Sequence, residues 1–361
     1  MDGMVIWLWI GFIAFVLSMI ALDLGVFNRK AHVISTREGL AWTGVWVALA
    51  LLFNAGVYFM YEHHWLGLGW HTIEPLDGQQ AFWKFFTGYL IEKALSLDNI
   101  FVIALIFAYF RVPRIYQHRV LFWGIMGALL MRGLMIGAGT ALIRRFEWTI
   151  YVFGALLIVT AVKMLITRPE TLKPERNPLV RLARRIYPVS TTFQEQRFFT
   201  RVDGRRAITP LFLVLLVVES TDVLFAVDSI PAIFAITRDP FLVFTSNIFA
   251  ILGLRSLYFA LAGMIEKFRY LKVSLVFVLA FVGVKMLLSH HYLIPILFSL
   301  SVIIGILLVG VLASIAGAPR PAAPRVPPAE TWTDPESELP QRPDSWEEGV
   351  DDPLLKGGKE T

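Results

Sequence analysis

Glu219, Ser220, Thr221, Asp222, Asp228 and Ser229 fall inside an apolar run from Ile208 to Ile236, and Glu92, Ser96, Asp98 and Asn99 inside another from Ala81 to Phe110. Each run is long enough to cross a bilayer. A charged side chain at mid-membrane costs at least ~2.5–3.5 kcal/mol on insertion scales, so acids there face protein, hold protons or bind a cation. Around these acids stand hydroxyl and amide oxygens, with no His or Cys in either stretch. All-oxygen donors suit hard cations, Mn²⁺, Mg²⁺ or Ca²⁺, over Zn²⁺ or Cu⁺. On an ideal helix of about 100° per residue, Glu219 and Asp222 share a face and Asp228 lies opposite Glu219. On the first helix Glu92, Ser96 and Asn99 form one stripe, with Asp98 about 120° round from Glu92. For all the acids to meet at one ion the helices must break; otherwise the acids must find separate partners across the bundle. Pro231 removes a hydrogen bond to the carbonyl of Val227, so a break is expected beside Asp228, freeing carbonyl oxygens for a cation.

The elements that must hold these residues are membrane helices. Of the 361 residues, 56% are hydrophobic and only 17% charged, which excludes an ordinary soluble enzyme. The basic residues sit between apolar spans, so the formal charge of +5 is no nucleic-acid signal. With no cysteine there are no disulfides, thiolate metal sites or iron–sulfur clusters. Apolar runs fall at about 4–27, 40–61, 82–109, 120–142, 148–166, 209–236, 242–264, 273–289 and 293–316, nine in all. The first lacks a basic flank before it and a small-residue cleavage site after it, and reads as a retained span. Loops 28–39, 110–119, 167–208 and 265–272 carry 19 Lys and Arg against 3 in the alternate set. That bias places the first set in the cytoplasm, the N-terminus outside and the C-terminus inside.

An internal repeat relates 82–166 to 209–289. Glu92 matches Glu219, and Phe107-Ala108-x-x-Arg111-x-Pro113 matches Phe234-Ala235-x-x-Arg238-x-Pro240. Arg132 matches Arg255, and Val162-Lys163-Met164-Leu165 matches Val284-Lys285-Met286-Leu287. Each copy holds three spans. Three is odd, so the second copy enters from the opposite side, the inverted-repeat architecture of many secondary transporters, with a site near the midplane where the copies meet. The expected domain plan is therefore an all-α transmembrane domain over 1–316 and a tail over 317–361. Within the first, the basic loop 167–208 interleaves Leu179, Val180, Leu182, Ala183 and Ile186 with Arg181, Arg184 and Arg185, the pattern of a short helix on anionic headgroups. The tail is rich in proline and acids, poor in large aliphatics, and expected to be disordered.

Ile91-Glu92, Leu95-Ser96-Leu97-Asp98-Asn99-Ile100, Phe225-Ala226-Val227-Asp228-Ser229-Ile230-Pro231-Ala232 and Asn247-Ile248-Phe249-Ala250-Ile251-Leu252-Gly253-Leu254-Arg255-Ser256-Leu257 together resemble the TerC family. That family is named for tellurium resistance and includes the alkali-inducible Alx proteins. The resemblance runs from about residue 4 to 316 and leaves the tail outside. It implies a bacterial inner-membrane protein of the LysE-like transporter group associated with Mn²⁺ export. It also implies a metal site at Glu92, Asp98, Asn99, Glu219, Asp222 and Asp228.

The resulting expectation is a secondary transporter, not an enzyme, that exports a divalent ion, Mn²⁺ first, in exchange for protons. Ser96, Ser220 and Ser229 would be neutral donors, and Arg132 and Arg255 would balance charge while the site is empty. No prosthetic group and no nucleic-acid partner is expected; the partners are the metal ion and the bilayer, and the oligomeric state stays open. The alternative is a membrane scaffold in tellurite or envelope stress resistance, whose acids are structural ion pairs with Arg132, Arg255, Lys163 and Lys285.

Overall fold

The computed structural model describes residues 2–25, 35–69, 75–166, 177–190, 193–202, 204–261, 270–290, 292 and 294–316. The tail 317–361, the residues 167–176 that begin the basic loop, and Trp70 lie outside the described residues. The elements in order are α1 Asp2–Gly25, α2 Thr36–Glu62, a 3₁₀ turn Trp65–Gly67, α3 Gly78–Tyr109, α4 Arg114–Arg145, α5 Thr149–Ile166 and α6 Pro178–Ile186. A hairpin follows, β1 Phe199–Val202 and β2 Arg205–Ile208. Then come α7 Pro210–Phe234, α8 Pro240–Leu252, α9 Leu254–Leu261, α10 Leu271–Leu288 and α11 Ile296–Ala316.

Among the described residues seven helical segments are long and apolar enough to span a membrane: α2, α4, α5, α7, α8–α9, α10 and α11. α1 has a shorter apolar stretch, Ile6–Ala21. α3, at 32 residues, is long enough, but Lys84, Glu92, Lys93 and Asp98 lower its hydropathy. The chain is an all-α polytopic membrane protein. Large apolar side chains such as Leu52, Leu130, Val159, Ile166 and Val309 are exposed on the outward faces, as lipid contact requires. α8–α9 is buried almost all round and forms the central post, whereas α2 and α11 are buried on one side only.

The packing pairs helices of 82–166 with helices of 209–289. α3 lies on α8 and α4 on α7, α3 also meets α7, α4 meets α8, and α5 packs along α10. Exchanging α3 with α7, α4 with α8 and α5 with α10 returns the same contacts. Direction follows from the glycines: a Cβ on Gly154 would meet Leu287, and one on Gly283 would meet Ile158, so α5 and α10 run antiparallel. Two three-helix units of opposite insertion would pack this way.

The α5–α10 crossing is close because both residues at it are glycine. A side chain on Gly283 would stand 3.0 Å from the carbonyl of Gly154 and 2.9 Å from Ile158. Gly283→Val is expected to destabilise the protein by about 1–3 kcal/mol through overpacking. Thermal unfolding of the purified variant in detergent measures it; an unchanged midpoint would contradict the crossing.

Two local expectations change. α7 runs unbroken through Pro231, which sits in its last turn and whose carbonyl accepts from Ala235 N at 3.1 Å. The missing N–H leaves the Val227 carbonyl without its helical donor, yet the turn around it stays helical. The break occurs instead at Gly253, between α8 and α9, where Lys93 Nζ donates to Ala250 O at 3.3 Å. The ammonium meets carbonyls that a helix end leaves free, at the negative end of the helix dipole. Second, the basic loop contains a hairpin as well as the expected helix. Its turn has Gly204 at φ +76°, a left-handed conformation that suits glycine in a hairpin.

Candidate functional site

Arg132 organises the buried polar residues. It lies mid-way along α4, is 1% exposed, and is among the largest fully buried side chains. Its guanidinium forks onto Asp222 of α7, with Nη2 to Oδ1 at 3.2 Å and Nε to Oδ2 at 3.4 Å. Nη1 donates to Glu92 of α3 in a close ion pair. The same Nη1 lies 3.3 Å from Ser229 Oγ and 3.4 Å from Asn247 Oδ1. One arginine therefore ties four helices, α3, α4, α7 and α8, where the helices of 82–166 meet those of 209–289. A planar fork suits this, since it meets a carboxylate in two parallel bonds while a third N–H reaches elsewhere.

Beyond the arginine, several buried oxygens lack a partner: Glu92 Oε2, Ser96 Oγ and Asn99 Oδ1, with Asn247 Nδ2 beside them in kind. Leaving a buried polar group unpaired costs about 1–3 kcal/mol. Glu92, Ser96 and Asn99 are spaced by four and three residues, so they form one stripe down α3. The stripe ends at a cavity of about 30 Å³ bordered by Asn99, Thr221, Asp222 and Arg255. That is room for one water-sized guest. A small space, oxygen donors and the Asp222 carboxylate stand together here, and Glu92 is joined to Asp222 through Arg132.

The other expected ligands are elsewhere. Glu219 turns to α4 one turn earlier, against Gly127, where any Cβ would overlap its carboxyl group. It borders an apolar side groove with Phe12, Trp123, Met126 and Phe244. Asp228 accepts from Thr160 of α5 at 2.7 Å and has Lys163 as charged neighbour. Asp98 faces α10, with Lys272 as its charged neighbour. Ser220 is bonded by Asn177, the N-cap of α6. Among the described residues no three His, Asp or Glu side chains gather as a preformed metal cluster. The acids of the site implied by the resemblance thus take separate partners in this structure: Glu92 and Asp222 meet at Arg132, Glu219 lies against Gly127, Asp228 against Thr160, and Asp98 has Lys272 as its charged neighbour.

Asp222, not Glu219, shares Arg132 with Glu92. Asn247 was missed as a site residue. Its signal was an amide in an apolar span, at 0% exposure, inside the motif that carries the family resemblance.

A bundle of membrane helices around a buried polar junction, one arginine against two carboxylates, defines a polytopic integral membrane protein. The family model that matches residues 77–321 is the integral membrane protein TerC family, and the chain belongs to it. It is 55% identical over 308 residues, 85% of this chain and 92% of the relative, to the "Uncharacterized membrane protein STKORF319" of Myxococcus xanthus. It is 47% identical over 301 residues to the "Putative membrane-bound redox modulator Alx" of Salmonella typhi, covering 83% of this chain and 91% of that one. The protein of the same description in Escherichia coli K12 is 46% identical over 305 residues, 83% of this chain and 91% of the relative. No solved structure matches the chain significantly.

Proposed function

We propose that the protein is a secondary transporter that exports a divalent cation, Mn²⁺ first, across the bacterial inner membrane, its N-terminus outside and its C-terminus in the cytoplasm. The observation that carries this reading is the orphaned oxygen stripe beside an ion-sized cavity at the junction of the copies. Glu92, Asp222, Asn99, Ser96 and Thr221 supply only oxygen, the donor set that suits a hard cation. Ser229 and Asn247 steady the arginine. In the empty protein Arg132 is the resident cation of Glu92 and Asp222. A divalent ion arriving at those carboxylates competes with it, and a bare gain of two charges inside a membrane is costly. The guanidinium therefore leaves the fork as the ion enters, and exchange for protons makes up the rest of the balance. Two inverted copies meeting at this point give the site access to each side in turn.

A second reading is favoured by the ion pairs themselves: a scaffold in which Arg132 holds Glu92 and Asp222 for structure alone. The relatives' description as redox modulators finds no thiol to work through, since this chain has no cysteine. The two main readings separate in proteoliposomes. Wild type is expected to move Mn²⁺ faster than Mg²⁺ or Ca²⁺, with pH change inside the vesicle accompanying metal. No metal movement by a folded, reconstituted protein would favour the scaffold.

A further inference from the structure

We propose that the hairpin and the end of α6 form a binding site for the phosphate of an anionic membrane lipid. Tyr187, Arg197, Phe199, Thr200, Arg201 and Arg206 border an open cavity of about 710 Å³. Arg201 and Arg206 are direct cross-strand partners in the hairpin. Like charges set opposite one another destabilise a strand pair, and an anion between them removes the repulsion. The stretch 177–208 carries seven arginines against two acids, Glu195 and Asp203, so five positive charges have no counter-charge within the segment.

The surroundings select a lipid over a free anion. α6 leaves Leu179, Leu182 and Ile186 exposed at 42%, 54% and 60%, one stripe that leads to Tyr187 at the mouth of the cavity, and Phe199 is 57% exposed beside it. A soluble anion has no use for these side chains; acyl chains cover them. The segment is also seated on a membrane helix. Val180 is buried among Ile208, Leu211, Val214 and Val217, and Asn177 bonds Ser220, ten residues and so about 15 Å along α7 from its first turn. α6 thus leans along α7 from within the bundle toward the hairpin, with Arg181, Arg184 and Arg185 placed to reach headgroups while their stems lie on apolar surface.

The test uses the full chain purified in neutral detergent, with thermal unfolding followed during titration by phosphatidylglycerol, phosphatidylcholine or inorganic phosphate. Phosphatidylglycerol is expected to raise the midpoint, and the other two to leave it unchanged. The combined Arg197→Gln, Arg201→Gln and Arg206→Gln variant is expected to need roughly a hundredfold more phosphatidylglycerol, from three basic side chains near an anionic surface. Arg205→Gln, on the same hairpin but outside the cavity, keeps the wild-type titration, and the corresponding triple lysine variant keeps most of it. An equal response to inorganic phosphate would overturn the lipid assignment, and an unaltered titration in the triple glutamine variant would overturn the site. No cation flux enters the readout, so its failure is separate from failure of the transport reading.

Discussion

Arg132→Ala is expected to destabilise the protein by about 3–5 kcal/mol, because it leaves the buried Glu92 and the largely buried Asp222 without their counter-charge. The midpoint of thermal unfolding in detergent falls accordingly, and the folded yield with it. Arg132→Lys keeps the charge but loses the fork onto Asp222, so it recovers only part of the loss. The informative variant neutralises the whole set, Glu92→Gln with Arg132→Gln and Asp222→Asn. Amides replace ions in roughly the same volume and no charge is left unpaired, so stability returns toward wild type. Under the transport reading this stable variant carries no cation; under the scaffold reading it behaves as wild type in cells. A triple variant as unstable as Arg132→Ala would show that the charges themselves hold the helices.

Asp222→Asn is expected to lower Mn²⁺ flux by about a hundredfold or more, while Asp228→Asn lowers it by about tenfold. The ranking follows from position. Asp222 borders the small cavity and takes the arginine fork, whereas Asp228 is hydrogen-bonded by Thr160 on another face of α7. Groups one step removed from a metal typically contribute 10–100-fold to affinity, so a carboxylate at the cavity wall belongs at or beyond the top of that range. Rates in proteoliposomes, normalised to inserted protein, give the comparison. An Asp228 effect equal to or larger than that of Asp222 would mean that the ion sits nearer α5 than the cavity does.

Much of this was legible in the primary structure, because the physics of the bilayer is unforgiving. The runs 40–61, 148–166 and 209–236 correspond to α2, α5 and α7, since only a helix satisfies its own backbone in lipid. The helix at 178–186 was readable from its alternating Leu and Arg. What could not be read was which acids meet. Helical phase places Glu219 and Asp222 on one face, yet five residues of α4 separate their contacts, Gly127 from Arg132, and only the second carries a charge. The chain break was expected at Pro231, the stronger breaker, and occurs at Gly253, where a lysine from another helix is available to cap it. That lysine adjoins Glu92 in sequence, and its role is fixed by tertiary contact alone. Asn247 was visible as an amide in an apolar span, but its partner, Arg132, is fixed only once the helices pack.

The central claim is that the junction held by Arg132 binds a divalent cation through Glu92 and Asp222. Electron paramagnetic resonance of Mn²⁺ titrated into the purified full-length protein addresses it without reliance on flux. Wild type is expected to quench the free-ion signal at about one ion per chain, and the neutral Glu92→Gln, Arg132→Gln, Asp222→Asn variant to leave it unquenched while remaining folded. Equal quenching by both proteins, or none by the wild type, would contradict the account.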